Sequence, residues 1–472
     1  MREKYKYLGK NTIIFAISSF GTKFLSFMLV PLYTNVLSTN DYGIADLITT
    51  TATLLMFIFT VNIGDSVMRF SLEQKDKQKE ILSFGLRVLI LGTIALSLCL
   101  TIFSQLHVID WKYSYYIFIF LYFFFMALYQ ILSNYLRAID KIIDVGIAGI
   151  ISAIMMIVGN IVFLLIIKLG INGYLISIIL SPLFGSIYCI VKVKIPLNFY
   201  VKKVCNKDIQ KEMFVFCIPL IFNNIALWIN AFLDKFFVTA YCGIDQNGIY
   251  AVANKIPIIL STCYTVFSQA WNLSAIKEYD KDDKEGFFSN TYNIYNSVVV
   301  LICSVLIFIN NSIASILFAN DFFEAWKYSS VLLIAVMFNS LTIFLGSIFS
   351  AVKNSKIIAT TTLISAGTNI ILNTLLIPIF GVLGAAVATA ISYSIMWIVR
   401  YHYSKKFIKL KINLLKDICA YVLLAFQVVC EHMENHNYMG QTLIISILFI
   451  LYWKNIKKIM LLLINKIKSK AW

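Results

Sequence analysis

Charge is scarce in this chain. Of its 472 residues, 14% are Asp, Glu, Lys or Arg and 60% are hydrophobic, and the mean hydropathy is +0.81. That balance lies outside the soluble range, and no polar stretch is long enough to house a soluble domain. Cysteine is sparse: nine stand singly at 99, 189, 205, 217, 242, 263, 303, 419 and 430, with no C-x-x-C pair. An obvious zinc or redox motif is thereby excluded, and there is no disulfide framework. The chain has no P-loop, so it does not burn ATP by itself. Gly-rich phosphate loops and Ser or Cys nucleophile motifs are also missing. Two words approach chemistry and fall short. Asp280-Lys281-Asp282 has the D-x-D form but sits in a loop too short for a nucleotide-binding domain. His432 and His436 bound H-M-E-N-H, with Met433 where a zinc protease helix needs Glu. These absences describe a chain that is not an enzyme and needs no cofactor. The first apolar run lacks a small-residue cleavage site and reads as a retained span.

What is present is apolar length. A bilayer core needs about 20 apolar residues per helix. Fourteen stretches qualify: 12–36, 43–68, 82–106, 114–136, 145–167, 171–191, 213–240, 248–275, 291–310, 328–352, 357–378, 382–402, 417–430 and 440–453. The net charge of +16 does not point to nucleic acid, because the Lys and Arg residues sit in short clusters between these runs. One set of alternate loops holds 33 of them; the other holds three, Lys112, Lys168 and Lys327. The positive-inside rule then places both termini in the cytoplasm and supports an even span count.

The chain also repeats itself. At an offset of 205, Thr34 falls on Thr239, Gly43 on Gly248 and Ile44 on Ile249; Glu73, Lys79 and Glu80 fall on Glu278, Lys284 and Glu285. Gly170-Ile171-Asn172-Gly173 recurs as Gly381-Val382-Leu383-Gly384. Sparse matches at equivalent places in two series of spans describe a duplicated membrane protein, most often a transporter. The expected class is an all-α polytopic protein of two parallel six-helix repeats. Residues 1–191 form the first lobe, 192–212 a basic cytoplasmic linker and 213–403 the second lobe. Helices 13 and 14 (404–453) lie outside the repeat, and 454–472 reads as a basic amphipathic tail on the inner leaflet.

Charges at membrane depth cost about 2.5–3.5 kcal/mol even on a lenient scale, so each asks for a reason. Lys23 lies mid-helix with Ser19, Thr22 and Ser26 on one stripe. The seventh span carries Asn223, Asn230 and Asp234 on one face, with Lys235 beside them. The eighth carries Lys255 on a ridge with Asn254, Ser261, Thr265, Ser268 and Asn272. The second opens with Asp46, Thr49, Thr50 and Thr53. Each has a structural reading as well. Asp234 and Lys235 can pair or reach headgroups, Lys255 lies within two turns of a helix start, and Asp46 suits a first turn. Lys23 is too deep to snorkel. Pro31, Pro182, Pro219, Pro257 and Pro378 fall in or at the ends of spans, where each can bend a helix.

Four words carry a family resemblance: FGTKFLSFMLVPLYTNVLSTNDYGIADL (20–47), VNIGDSVMRF (61–70), LDKFFVTAYCGIDQNGIYAVANKIP (233–257) and GVLGAAVATAIS (381–392). Over about its first 400 residues the chain resembles a bacterial polysaccharide flippase of the Wzx type, in the superfamily shared with multidrug and toxin extruders and lipid II flippases. The resemblance implies a two-lobed bundle around a central cavity. It implies movement of undecaprenyl-pyrophosphate-linked sugar units between leaflets of the bacterial cytoplasmic membrane, by alternating access coupled to an ion gradient or potential. Lys23, Lys255 and Lys235 would hold the pyrophosphate, with Asn223 and Asn230 lining the cavity. Asp234 and Asp46 would serve as counter-ions or as ligands to a coupling monovalent cation. Implied partners are the lipid-linked oligosaccharide, membrane lipids and a polysaccharide polymerase, around a monomer. The rivals are a drug exporter, which should favour carboxylates for cationic substrates, and a lipid II flippase. A membrane polymerase or ligase would need a larger outer domain than 311–327, and a scaffold would leave the polar stripes without a role.

Overall fold

The computed structural model describes residues 27–106, 111–194, 206–352 and 354–468, and the ordered elements in them are helices. They form two compact units, Met1–Phe232 and Leu233–Trp472. The first holds α1 (Val30–Val36), α2 (Thr39–Phe59), α3 (Ile63–Glu73), α4 (Gln78–Gln105), α5 (Tyr113–Ala138), α6 (Ile142–Asn160) and α7 (Ile171–Val193). The division between units falls inside the long helix α8 (Lys207–Cys242). The second unit continues with α9 (Ile244–Ala253), α10 (Lys255–Lys277), α11 (Phe287–Phe308), α12 (Asn310–Leu317), α13 (Trp326–Ala351), α14 (Ser355–Phe380), α15 (Val382–Ser404), α16 (Leu414–His432) and α17 (Tyr438–Lys468).

Each of the fourteen expected spans meets a helix. Among the described residues, 11 helices are long and apolar enough to cross a membrane. Three expected spans stand outside that set. Most of the first lies outside the described residues; α10 carries the polar ridge; α16 holds Lys416, Asp417 and Glu431. Two expected continuous spans are broken. Between α2 and α3, Val61 and Asn62 both take the left-handed conformation at φ 53°, costly for a β-branched residue. Between α9 and α10 the break at Asn254 precedes Pro257. A proline has no N–H to give the carbonyl four residues back. Here that carbonyl is Ala253 O, and the Ser329 hydroxyl donates to it at 2.9 Å.

The sequence repeat reappears as backbone geometry. Gly170 opens α7 at φ 55°, ψ −135°, and Gly381 opens α15 at φ 58°, ψ −139°, a region that only glycine enters freely. The second glycine of each word lies against a carbonyl of the helix before it. A Cβ on Gly173 would stand 2.7 Å from Phe163 O, and one on Gly384 would collide with Leu376 O.

Loop 278–286 and segment 405–413 are knitted together. The Asp283 carboxylate accepts the Phe288 and Ser289 amides at 2.9 Å, capping α11. Lys409 pairs with Asp282 at 2.9 Å, which holds the Asp282 carboxyl below its usual range and raises the Lys409 ammonium. The D-x-D word is thus part of a capped, ion-paired loop. Helices α16 and α17 are bonded along α11 through Asn455 to Ser297 (2.6 Å), Tyr421 to Asn296 (2.9 Å) and Ser304 to Gln427 (2.7 Å). Lipid gives apolar helices little reason to associate, so close packing and such polar pairs decide it.

Candidate functional site

In the C-terminal unit the chemistry gathers at Asp234. Its helix α8 puts it 4% exposed, with Tyr250 from α9 fully buried beside it. The Tyr250 hydroxyl donates a short hydrogen bond to Oδ2. Thr389 from α15 donates to the same oxygen at 3.3 Å, and the Lys235 amide donates to Oδ1 at 3.0 Å. A second layer comes from α14: Asn369 Nδ2 lies 3.4 Å from Thr389 Oγ1, and Asn373 Nδ2 donates to Asn369 Oδ1 at 2.9 Å. Asn373 Oδ1 is buried without a partner. Taking a carboxylate out of water costs several kcal/mol unless donors or a cation answer it. Three donors partly do so. The remaining oxygen atoms are the hard donors that a small cation or a proton accepts.

The four helices reach this point for local reasons. Pro257 and the Ser329 bond set the short helix α9, whose Gly248-Ile249-Tyr250 run is wholly buried. Gly381 and Gly384 bring the first turns of α15 against α14, which aligns Thr389 with Asn369. Asn369 and Asn373 are one turn apart on one helix face.

The expected site residues do not all meet. Asn223 is half-buried; Asn230 is buried and donates to its own helix at Ala226 O, 3.0 Å away. Both belong to the N-terminal unit, whereas Asp234 and Lys235 belong to the C-terminal one. Lys235 is buried, and Lys255 is half-buried as the first residue of α10. Lys23 lies outside the described residues. Asp46 is half-buried on α2, close enough to the Tyr42 and Tyr174 hydroxyls to act on them electrostatically. On the polar ridges, Thr49, Thr53, Ser261, Thr265 and Ser268 each bond a carbonyl three or four residues back in their own helix.

Sequence reasoning missed Tyr250, Thr389, Asn369 and Asn373. The signal was partly there: Asp234 and Tyr250 lie in one of the four family-like words and Thr389 in another. Asn369 and Asn373 had only their i, i+4 spacing. Arg400 was missed too. It stands within the expected span 382–402 yet is one of the 33 basic residues assigned to loops; it is buried and donates to Thr342 O (2.8 Å), Thr361 Oγ1 (3.0 Å) and Thr362 Oγ1 (3.1 Å).

Residues 8–272 match the family model described as polysaccharide biosynthesis protein. The chain belongs to that family. Among curated relatives it is 25% identical over 194 residues to a probable low-salt glycan biosynthesis flippase, Agl15, of Haloferax volcanii, a match covering 40% of this chain and 41% of the relative. It is 25% identical over 239 residues to the capsular polysaccharide biosynthesis protein CapF of Staphylococcus aureus, covering 48% of this chain and 60% of the relative. The chain thus spans about half the length of the curated relatives it matches. Among solved structures, a lipid II flippase MurJ in an inward closed conformation superposes with a TM-score of 0.71 at 18% identity, over 95% of this chain and 100% of that one. An inward-facing multidrug resistance MATE family transporter superposes with a TM-score of 0.64 at 12% identity, over 81% of this chain and 94% of that one. The family member described here therefore has the helical, multi-span fold of these transporters.

Proposed function

We propose that the protein is a flippase for undecaprenyl-pyrophosphate-linked oligosaccharide units, moving them from the inner to the outer leaflet of the bacterial cytoplasmic membrane for surface polysaccharide synthesis. The family and the relatives named for glycan and capsule biosynthesis support the substrate class. The observation that carries the transport reading is the buried Asp234 carboxylate, met by Tyr250 and Thr389 from two of the family-like words, with Asn369 of α14 behind Thr389. In this reading Asp234, Thr389, Asn369 and Asn373 take up a proton or monovalent cation, and its binding and release drive alternating access. Lys23, Lys235 and Lys255 are the cations that hold the pyrophosphate: a lysine presents a compact point charge, and a site shielded from water strengthens its attraction. Asn223, Asn230 and Asp46 line the path. Both termini are cytoplasmic, and the working unit is a monomer that hands its product to a polymerase.

The test is genetic and chemical. In a host lacking the gene, lipid-linked sugar units are assigned to a leaflet in spheroplasts with an impermeant glycan-cleaving reagent. Inner-leaflet accumulation that wild type relieves, and Asp234→Ala or Lys23→Ala does not, supports the reading. Absence of accumulation, with a change in sensitivity to cationic drugs, overturns it in favour of an exporter.

A further inference from the structure

A second buried carboxylate stands apart from Asp234. Glu431 lies in the last turn of α16 at 1% exposure. Its Oε1 accepts a hydrogen bond from Asn310 Nδ2 at 2.7 Å, and the other N–H of that amide is spent on Trp326 O at 2.9 Å. Two atoms are left over: Glu431 Oε2 and Asn310 Oδ1 are both buried without a partner. If Glu431 were ionised, both atoms would be acceptors, and neither group would have a proton left to give the other. The Ser330 hydroxyl lies beside the carboxylate, yet a bond from it to Glu431 would still leave Asn310 Oδ1 without a donor. No cation among the described residues pairs with Glu431. Of the neighbouring charged groups and rings, Lys327, His432, His436 and Tyr438 have contacts that do not reach the Glu431 carboxylate. Lys327 pairs with Glu324 at 2.9 Å. His432 contacts Val428 O and Lys327 O, and His436 contacts Glu431 O and Asn311. The Tyr438 ring lies against Phe308 and His436.

One added proton resolves both orphans. A carboxylic acid and a primary amide form a two-point ring: amide N–H to carbonyl oxygen, acid O–H to amide oxygen. The first half of that ring is in the structure at 2.7 Å. We propose that Glu431 is a proton-binding site, held as the acid, whose Oε2–H donates to Asn310 Oδ1 and latches α16 to the start of α12. The latch closes the end of the polar ladder between α11 and the α16–α17 hairpin that is farther from the basic loops. Loss of the proton puts an unanswered charge beside an acceptor and opens it. The folded chain then holds a proton that the unfolded chain releases at neutral pH, so stability falls as pH rises above the ordinary carboxylate range.

The test uses the full chain in lipid nanodiscs. Thermal unfolding is followed from about pH 5 to about pH 8, and infrared spectra record the carboxylic-acid C=O stretch at neutral pH. Glu431→Gln carries the ring's donor permanently, so it should hold its Tm at high pH while wild type loses several degrees. The infrared band should vanish in Glu431→Gln and shift in Asn310→Ala. Parallel pH profiles of wild type and Glu431→Gln would overturn the proposal. So would a band unchanged in both variants, a readout that does not depend on comparing melting temperatures.

Discussion

A hydroxyl that donates to a buried carboxylate matters more than one facing water, because nothing replaces it when it goes. Tyr250 is in that position, and Thr389 shares the same oxygen. Tyr250→Phe keeps the ring and removes one donor to a charged group, a loss of about 1.5–3 kcal/mol. If Asp234 binds the coupling ion, ion affinity in Tyr250→Phe should rise by roughly tenfold to a hundredfold, because the carboxylate loses a donor that competes with the ion. Ion-dependent transport in proteoliposomes checks this, with the variant's fold verified separately by thermal unfolding. Arg400 poses the contrasting case of a buried cation answered by carbonyl and threonine oxygens. Arg400→Lys keeps the charge but cannot reach three acceptors with a planar fork, so thermal unfolding should register a loss of about 1–3 kcal/mol.

At the scale of the element, the repeat is written in glycines and the break in a proline. Gly384→Ala drives a Cβ into the Leu376 carbonyl, and Gly173→Ala brings one within 2.7 Å of Phe163 O. Each should destabilise by about 1–3 kcal/mol, the usual cost of overpacking. The two variants should behave alike in a thermal-unfolding series, since the local geometry is the same. Ser329→Ala strips the Ala253 carbonyl of the donor that Pro257 cannot supply. The expected loss is about 1–3 kcal/mol, and the double variant Ser329→Ala, Pro257→Ala should recover part of it by restoring an N–H.

For the whole molecule, the question is what the last two helices contribute. They lie outside the sequence repeat, yet they bury Asn296, Ser304 and Asn310, each fully enclosed. Without α16 and α17 these groups would face lipid, where an unanswered polar group costs several kcal/mol. A chain ending after α15 should therefore fail to accumulate as a monodisperse species in mild detergent. Gln427→Leu, which removes one rung, should lower stability by only about 0.6–2 kcal/mol.

By itself the sequence determined the class, because a bilayer leaves the backbone only helices or closed barrels, and runs of about 20 apolar residues fit helices. Fourteen apolar runs, the 33-to-three division of basic residues and two glycine words at a repeat spacing were legible for that reason. Candidate residues were legible where a charge stood at depth, which is how Asp234 was found. Its partners were not, since Tyr250, Thr389, Asn369 and Asn373 are ordinary residue types on three other helices. Only tertiary structure brought them to one carboxylate. It also broke two expected helices, at Val61–Asn62 and at Asn254, and carried α16 past the expected end of its span at 430, so that Glu431 accepts the Asn310 amide. Helix periodicity reports which face a residue is on; which helix lies opposite that face is decided by packing among all of them.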